Sequence, residues 1–219
     1  MTMTLMTAPT AGRLTTAGNG ERVGPKRLFD VLLSGLALIL LLPVFLVTAL
    51  VIALTSRGPV FYVQDRIGLE GTRFRFIKFR SMYKDAGARR AALLADSDRE
   101  GITFKQRADP RITPVGRVLR RTSIDELPQL INVLRGDMSL VGPRPGLPEE
   151  VAAYPPRAMA RLEVPPGITG IWQVSGRADI GFDEMIAMDL DYVERASLPL
   201  DLKILLQTVR AVISGRGAY

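Results

Sequence analysis

The longest hydrophobic feature of the chain is "VLLSGLALILLLPVFLVTALVIAL", Val31 to Leu54, 24 residues without a charge. That length meets the roughly 20 residues a bilayer span needs. Pro43 falls near its middle, where it removes a backbone donor and kinks a helix. Each half, about 12 residues, extends roughly 18 Å, enough to dip into one leaflet and return. Basic residues flank both ends: Arg22, Lys26 and Arg27 before, Arg57, Arg66, Arg73 and Arg75 after. Positive charge on both flanks suits two ends on one side of the membrane. The pattern therefore predicts a re-entrant helix-break-helix over 25–56, with a kinked span and a buried core helix as the alternatives.

Beyond it the period changes. "VFYVQDRIG" and "RFRFIKFRSM" flank a turn between Gly68 and Gly71, and the second run alternates apolar with basic residues. This predicts a β-hairpin. Lys78 and Arg80 share a strand face with Phe74 and Phe76, pointing either into a site or along a solvated edge. Helices are predicted over 85–96, 182–197 and 199–215. The last carries Leu202, Leu205, Leu206, Val209, Val212 and Ile213 on one face. Core packing is the cheapest account of that stripe, and a helix lying on a membrane surface is the alternative. Residues 1–24, rich in Thr, Ala and Gly at their start, read as a disordered tail. The fold class is α+β: the membrane segment joined to a small, mainly helical cytosolic domain, 57–219, with a β-hairpin and membrane-surface helices.

Composition narrows the chemistry. The 219 residues contain no histidine and no cysteine. A Ser-His-Asp relay, thiolate chemistry and histidine or thiolate metal sites are excluded. Carboxylates, lysine, tyrosine or hydroxyls must do any catalytic work, and a metal must be held by oxygen. Lys and Arg number 29 against 22 acids, a formal charge of +7. That balance suits phospholipid headgroups, nucleic acid or phosphorylated substrates, or simply a basic solvated surface.

Within "RRTSIDELPQLINVLRGDMSLVGPRP" two acids, Asp125 and Glu126, stand side by side. Ser123 three residues before Glu126 fits a capping box, and acids in a first helical turn are favoured by the helix dipole. The surroundings offer another use. Arg111, Arg117, Arg120 and Arg121 lead into the pair, and Arg144 sits between two prolines. Arginine forks bind phosphate bidentately, and nearby cations keep a carboxylate ionised for nucleophilic attack or for Mg²⁺. Magnesium takes only one or two protein carboxylates, with water and substrate phosphates completing its shell.

Taken in order, "KRLFD", "FYVQDRIG", "FRFIKFRSM", "DPRITPVGRVLRRTSIDELPQLINVLRGDMSLVGPRP" and "PGITGIWQVSGR" resemble the bacterial sugar transferases. These are monotopic polyprenol-phosphate phosphoglycosyl transferases. The match runs from Lys26 almost to the C-terminus and resembles the compact members without a multi-span N-terminal domain. It implies transfer of a sugar-1-phosphate from a UDP-sugar to undecaprenyl phosphate, with release of UMP, to initiate a surface polysaccharide or other glycan. It implies Asp125 as nucleophile, Glu126 as its partner, and Mg²⁺ as cofactor, with Asp125 as its ligand. Arg120 and Arg144 match positions associated with phosphate, and Lys78 lies in the matching basic strand. Arg80 and Arg111 complete the expected phosphate-binding set. The family's membrane helix breaks at a Ser-Pro step; here Leu42 precedes Pro43. The implied location is the bacterial inner (plasma) membrane, with the catalytic domain on the cytoplasmic face and anionic lipids as neighbours. Homo-oligomerisation is left open, as is the sugar. The rival reading is a basic membrane-surface scaffold without chemistry. A nucleic-acid partner is not expected: it would need aromatic platforms among the basic residues or a recognition helix, and the Phe-rich basic strand is the only hint of one.

Overall fold

A computed structural model describes residues 24–88, 109–176 and 180–214. Residues 1–23 of the expected N-terminal tail, and residues 89–96 of the helix expected over 85–96, lie outside these residues. The described part mixes helices with two small sheets, the α+β class expected.

Helix α1 (Pro25–Leu40) and helix α2 (Leu42–Thr55) are separated by Leu41 alone and bend by 60°. Pro43 is the second residue of α2. Its ring clashes with the carbonyl four residues back and it donates no hydrogen bond there, so the bend falls one turn ahead of it. No single helix among the described residues is long and apolar enough to cross a membrane; this pair passes that test only jointly. Leu32, Leu36, Ile39, Leu46, Leu50 and Leu54 are exposed, whereas the polar Asp30, Ser34 and Thr48 are buried. Phe29, Leu33, Leu38, Phe45 and Ile52 pack against the body of the protein, so the pair carries apolar residues on its exposed face as well as on its packed one.

Lys26 and Arg27, in the first turn of α1, turn inward, contrary to their reading as a flank. Lys26 Nζ bonds Asp201 Oδ2 at 2.5 Å and approaches the Val141 carbonyl at 3.3 Å. Arg27 donates to the carbonyls of Val133 and Leu134, and the Asp30 carboxylate accepts from the Leu140 amide at 3.1 Å. These contacts fasten the start of α1 to the body of the protein.

Strands β1 (Phe61–Ile67) and β2 (Arg73–Phe79) form the predicted antiparallel hairpin, with Phe61 opposite Phe79 and Ile67 opposite Arg73. Phe76 enters the main core with Leu130, Val133, Met138, Leu140, Val141, Tyr192 and Ile204. Phe79 packs with Ile52 of α2 and Leu119. Helix α3 (Pro114–Arg121) follows, and then helix α4 (Gln129–Arg135). Asn132 of α4 accepts from the Ile77 amide and donates to the Arg75 carbonyl at 3.1 and 2.7 Å, occupying β2's open edge. Such edge groups need partners once buried. The result locks α4, and the turn before it, against Lys78.

A second sheet was not anticipated. Strand β3 (Ser139–Val141) pairs in parallel with β4 (Gly167–Thr169). Just past β3, the Gly142 amide bonds the Thr169 carbonyl at 2.9 Å. A Cβ at Gly167 would lie 2.1 Å from the Gly142 nitrogen. Only glycine lets the two backbones approach so closely. Short helices α5 (Pro148–Ala152) and α6 (Ile171–Ser175) lead to the predicted C-terminal helices, α7 (Phe182–Arg195) and α8 (Leu198–Ser214).

Core packing accounts for only part of the α8 stripe, through Leu205. Ile204 faces the core, while Leu202, Leu206, Val209 and Ile213 are 49, 74, 59 and 81% exposed. Buried Asp201 orients the helix, accepting from Lys26 and from the Tyr192 hydroxyl at 2.8 Å.

Candidate active site

The expected capping box does not form. Ser123 is left-handed (φ 57°) and makes no side-chain cap, so Asp125 and Glu126 occupy a 3₁₀ turn, Ile124–Glu126, ahead of α4. An N-cap needs extended backbone geometry, which this turn denies to Ser123. Pro128 then sets the entry to α4, as its fixed φ suits a helix start. The acid pair is therefore displayed by a turn rather than spent on a helix end.

Five sequence-predicted residues, Lys78, Arg120, Asp125, Glu126 and Arg144, line one cavity of about 370 Å³. Arg144 Nη2 donates to Glu126 Oε1 at 2.5 Å, a charge-assisted bond. No hydrogen bond or ion pair engages the Asp125 carboxylate among the described residues, although the side chain is almost fully buried. Lys78 Nζ stands 5.3 Å over the Tyr62 ring and is likewise free of hydrogen bonds to described residues.

Electrostatics divides the acids. Burial, and then the Glu126 charge, push Asp125 up to about 6, against the pull of Lys78, Arg120 and Arg144. Burial also raises Glu126, but the charge and hydrogen bond of Arg144 outweigh it and hold that carboxyl below its usual range. Burial brings Lys78 down to about 8, resisted by Asp125. The arginines thus keep Glu126 ionised more firmly than Asp125. At pH 7 Asp125 is still mostly a carboxylate, poorly solvated and without a donor, as a nucleophile or metal ligand requires.

Two expected phosphate ligands lie elsewhere. Arg80 caps the end of α2, donating to the Ser56 carbonyl and hydroxyl, each at 2.7 Å, and to the Arg57 carbonyl at 3.2 Å. Arg111 forks onto Asp109 with contacts of 2.6 to 3.1 Å. Both border a second cavity of about 400 Å³, which adjoins the first across Lys78, Arg120, Arg144 and Trp172. Tyr62, Gln64, Tyr154 and Arg161 of that second cavity were given no role by their sequence positions, and Arg66 only that of a basic flank.

Among the described residues, no group of three or more acids gathers to hold a metal. A magnesium ion completed by substrate phosphates needs no such group, and the unengaged Asp125 carboxylate fits it as the single protein donor. Glu126 is already committed to Arg144.

Comparison with known proteins places the chain. The family profile described as Bacterial sugar transferase matches residues 21–215. The chain is 42% identical over 198 residues to the exopolysaccharide production protein ExoY of Rhizobium meliloti, covering 89% of this chain and 88% of that one. It is 43% identical over 202 residues to a UDP-glucose:undecaprenyl-phosphate glucose-1-phosphate transferase of Caulobacter vibrioides, covering 89% and 72%. To the galactosyl transferase CpsE of Streptococcus agalactiae it is 48% identical over 162 residues, 74% of this chain but only 36% of that longer protein. With a family profile matching residues 21–215 and the Rhizobium meliloti relative covered over 88% of its length, the chain belongs to the bacterial sugar transferase family.

Proposed function

We propose that this protein transfers a sugar-1-phosphate from a UDP-sugar to undecaprenyl phosphate, releasing UMP and starting a lipid-linked glycan. The observation that carries the reading is the Asp125 carboxylate: buried, unengaged, and flanked in one cavity by Lys78, Arg120 and the Glu126–Arg144 pair. An Asp125 oxygen attacks the β-phosphorus of the UDP-sugar, the bond from that phosphorus to the bridging oxygen breaks, and UMP departs with the electron pair. The lipid phosphate, already an anion, then attacks the aspartyl phosphoryl group, forming the lipid-linked product and restoring the carboxylate. Neither step requires a general base, which fits a chain without histidine. What both require is neutralisation, since an anion attacks a phosphorus carrying negative oxygens. Lys78, Arg120 and Arg144 provide fixed positive charge at that place. Bound magnesium, held by Asp125 and the diphosphate, would add Lewis-acid charge neutralisation.

The fold suits a substrate dissolved in a bilayer. The exposed apolar residues of the bent α1–α2 pair belong in lipid as a re-entrant segment over 25–56, and the α8 stripe lies on the surface of the same leaflet. The domain over 57–219 then works at the cytoplasmic face of the plasma membrane, among anionic headgroups. Cysteines introduced at Gly20 and Arg57 should both be labelled from the cytoplasmic side only. Labelling from opposite sides would replace the re-entrant segment with a span.

The reaction is tested with purified protein, Mg²⁺, a panel of UDP-sugars and undecaprenyl phosphate, following UMP. Lipid-dependent release is expected with at least one sugar; inertness with all of them leaves a membrane-surface scaffold as the better account. Arg144→Lys keeps the charge but loses the fork, and turnover should fall about 10-fold or more. Turnover close to wild type would remove the Arg144 fork from the phosphate site.

A further inference from the structure

We propose that Arg161 is a positioning residue for Arg144, anchored by Asp189 and assisted by Arg66. The segment from Pro143 to Gly146 has few amides of its own to hold it, because two of its four residues are prolines. It is held by its carbonyls instead. The Pro143 carbonyl accepts from the Gly167 amide at 2.9 Å and the Gly146 carbonyl from the Ile67 amide at 3.0 Å. Between them, the Arg144 carbonyl accepts from Arg161 Nη2 at 2.8 Å, and the Pro145 carbonyl from Arg66 Nη1 at 3.0 Å. Four successive carbonyls are engaged, the middle two by arginine side chains.

Arg161 is itself fixed from three sides. Its Nη1 donates to the Tyr154 hydroxyl at 2.6 Å, its guanidinium lies 5.3 Å over the Tyr154 ring, and its Nη2 meets Asp189 Oδ2 at 2.6 Å. The Arg161 and Asp189 side chains are 3% and 1% exposed. Burying such a pair adds little net stability, because desolvation offsets the attraction; its return here is direction. Without the Arg161 fork the part-buried Arg144 carbonyl loses that partner, and the proline-bounded loop shifts to satisfy it. The Arg144 guanidinium, one residue's length from that carbonyl, then loses its 2.5 Å contact with Glu126. Arg161 therefore serves the acid pair through the backbone of Arg144, from the lining of the other cavity.

The turnover arm of the test rests on the transferase reading; the second arm does not. Arg161→Lys preserves the charge facing Asp189 and removes the fork. In the wild-type background it should lower kcat about 10-fold with KM for the UDP-sugar changed less than about 2-fold, and in an Arg144→Lys background it should add less than about 2-fold. Losses that multiply across the two backgrounds would show that Arg161 acts by general stability or on substrate directly, and would overturn the proposal. In the second arm, the Nε–Hε resonance of Arg144 in ¹⁵N-arginine protein, assigned by its disappearance in Arg144→Lys, should be slowly exchanging in wild type and broadened in Arg161→Lys. An unchanged resonance overturns the proposal even if no UDP-sugar is turned over. Where Arg161→Lys does not fold, Tyr154→Phe removes one of the Arg161 anchors. It should give the same pattern at about 2- to 3-fold, vanishing in the Arg144→Lys background.

Discussion

Asp125→Asn is expected to release no UMP, with or without lipid, while leaving the protein as stable as wild type or more so. Wild type with Mg²⁺ and the right UDP-sugar should release UMP without any acceptor, up to about one equivalent per enzyme, as a covalent intermediate requires. Intact mass should show an added sugar phosphate, on a peptide containing Asp125. The amide introduced by Asp125→Asn has the size of the carboxylate and no negative charge, so burst and adduct should both vanish, and turnover should fall at least about 10³-fold. Stability separates this from misfolding. The folded state raises the Asp125 pKa from its ordinary value to about 6, by burial and by Glu126. Such a group destabilises the fold progressively as pH rises through that window, and fully above it. At pH 7 the amide variant lacks that penalty and should be more stable by about 1 to 3 kcal/mol. Wild-type protein that turns over with lipid, yet shows neither burst nor adduct, would instead indicate direct attack of lipid on UDP-sugar.

Much of this arrangement was legible in the sequence because local rules wrote it. The hairpin followed from two runs flanking the Gly68–Gly71 turn, the second of them alternating, and the last two helices from their apolar period. The bend between α1 and α2 followed from Pro43 in an uncharged run. The acid pair announced itself by composition, as adjacent acids set among arginines in a chain without histidine. What was not legible was the destination of each charge. Arg80 and Arg144 look alike on paper, but one ends on helix carbonyls and the other on Glu126. Lys26 looked like a topological flank, and its partner Asp201 is 175 positions away. The parallel β3–β4 pair is three residues per strand, too short for any period, and its signal was the spacing of glycines in "LVGPRPG" and "PPGITG". The α8 stripe is apolar as its period says, yet most of it does not face the core, since periodicity cannot say whether the facing medium is protein or lipid.

Glu126→Gln should produce a different failure, and it decides what the second acid does. Glu126 is the partner of Arg144 and, after burial, the main cause of the raised Asp125 pKa. The amide keeps an acceptor for Arg144 but loses the charge assistance, worth about 1.5 to 3 kcal/mol for such a bond. Arg144 then swings more freely, and turnover should fall about 10- to 100-fold, less than for Asp125→Asn. Some adduct should still form, because the nucleophile remains. The pH dependence moves the other way from the rate. With the neighbouring negative charge gone, the Asp125 pKa must fall from about 6 toward the ordinary carboxylate range. At one fixed Mg²⁺ concentration, the acid limb of kcat for Glu126→Gln should therefore lie at lower pH than that of wild type. A slower enzyme with a limb displaced to lower pH identifies Glu126 as the group that orients Arg144 and sets the basicity of Asp125. If the limb stays in place or rises, the charge of Glu126 does not govern Asp125. The side chain is then a counter-ion for Arg144 and nothing more.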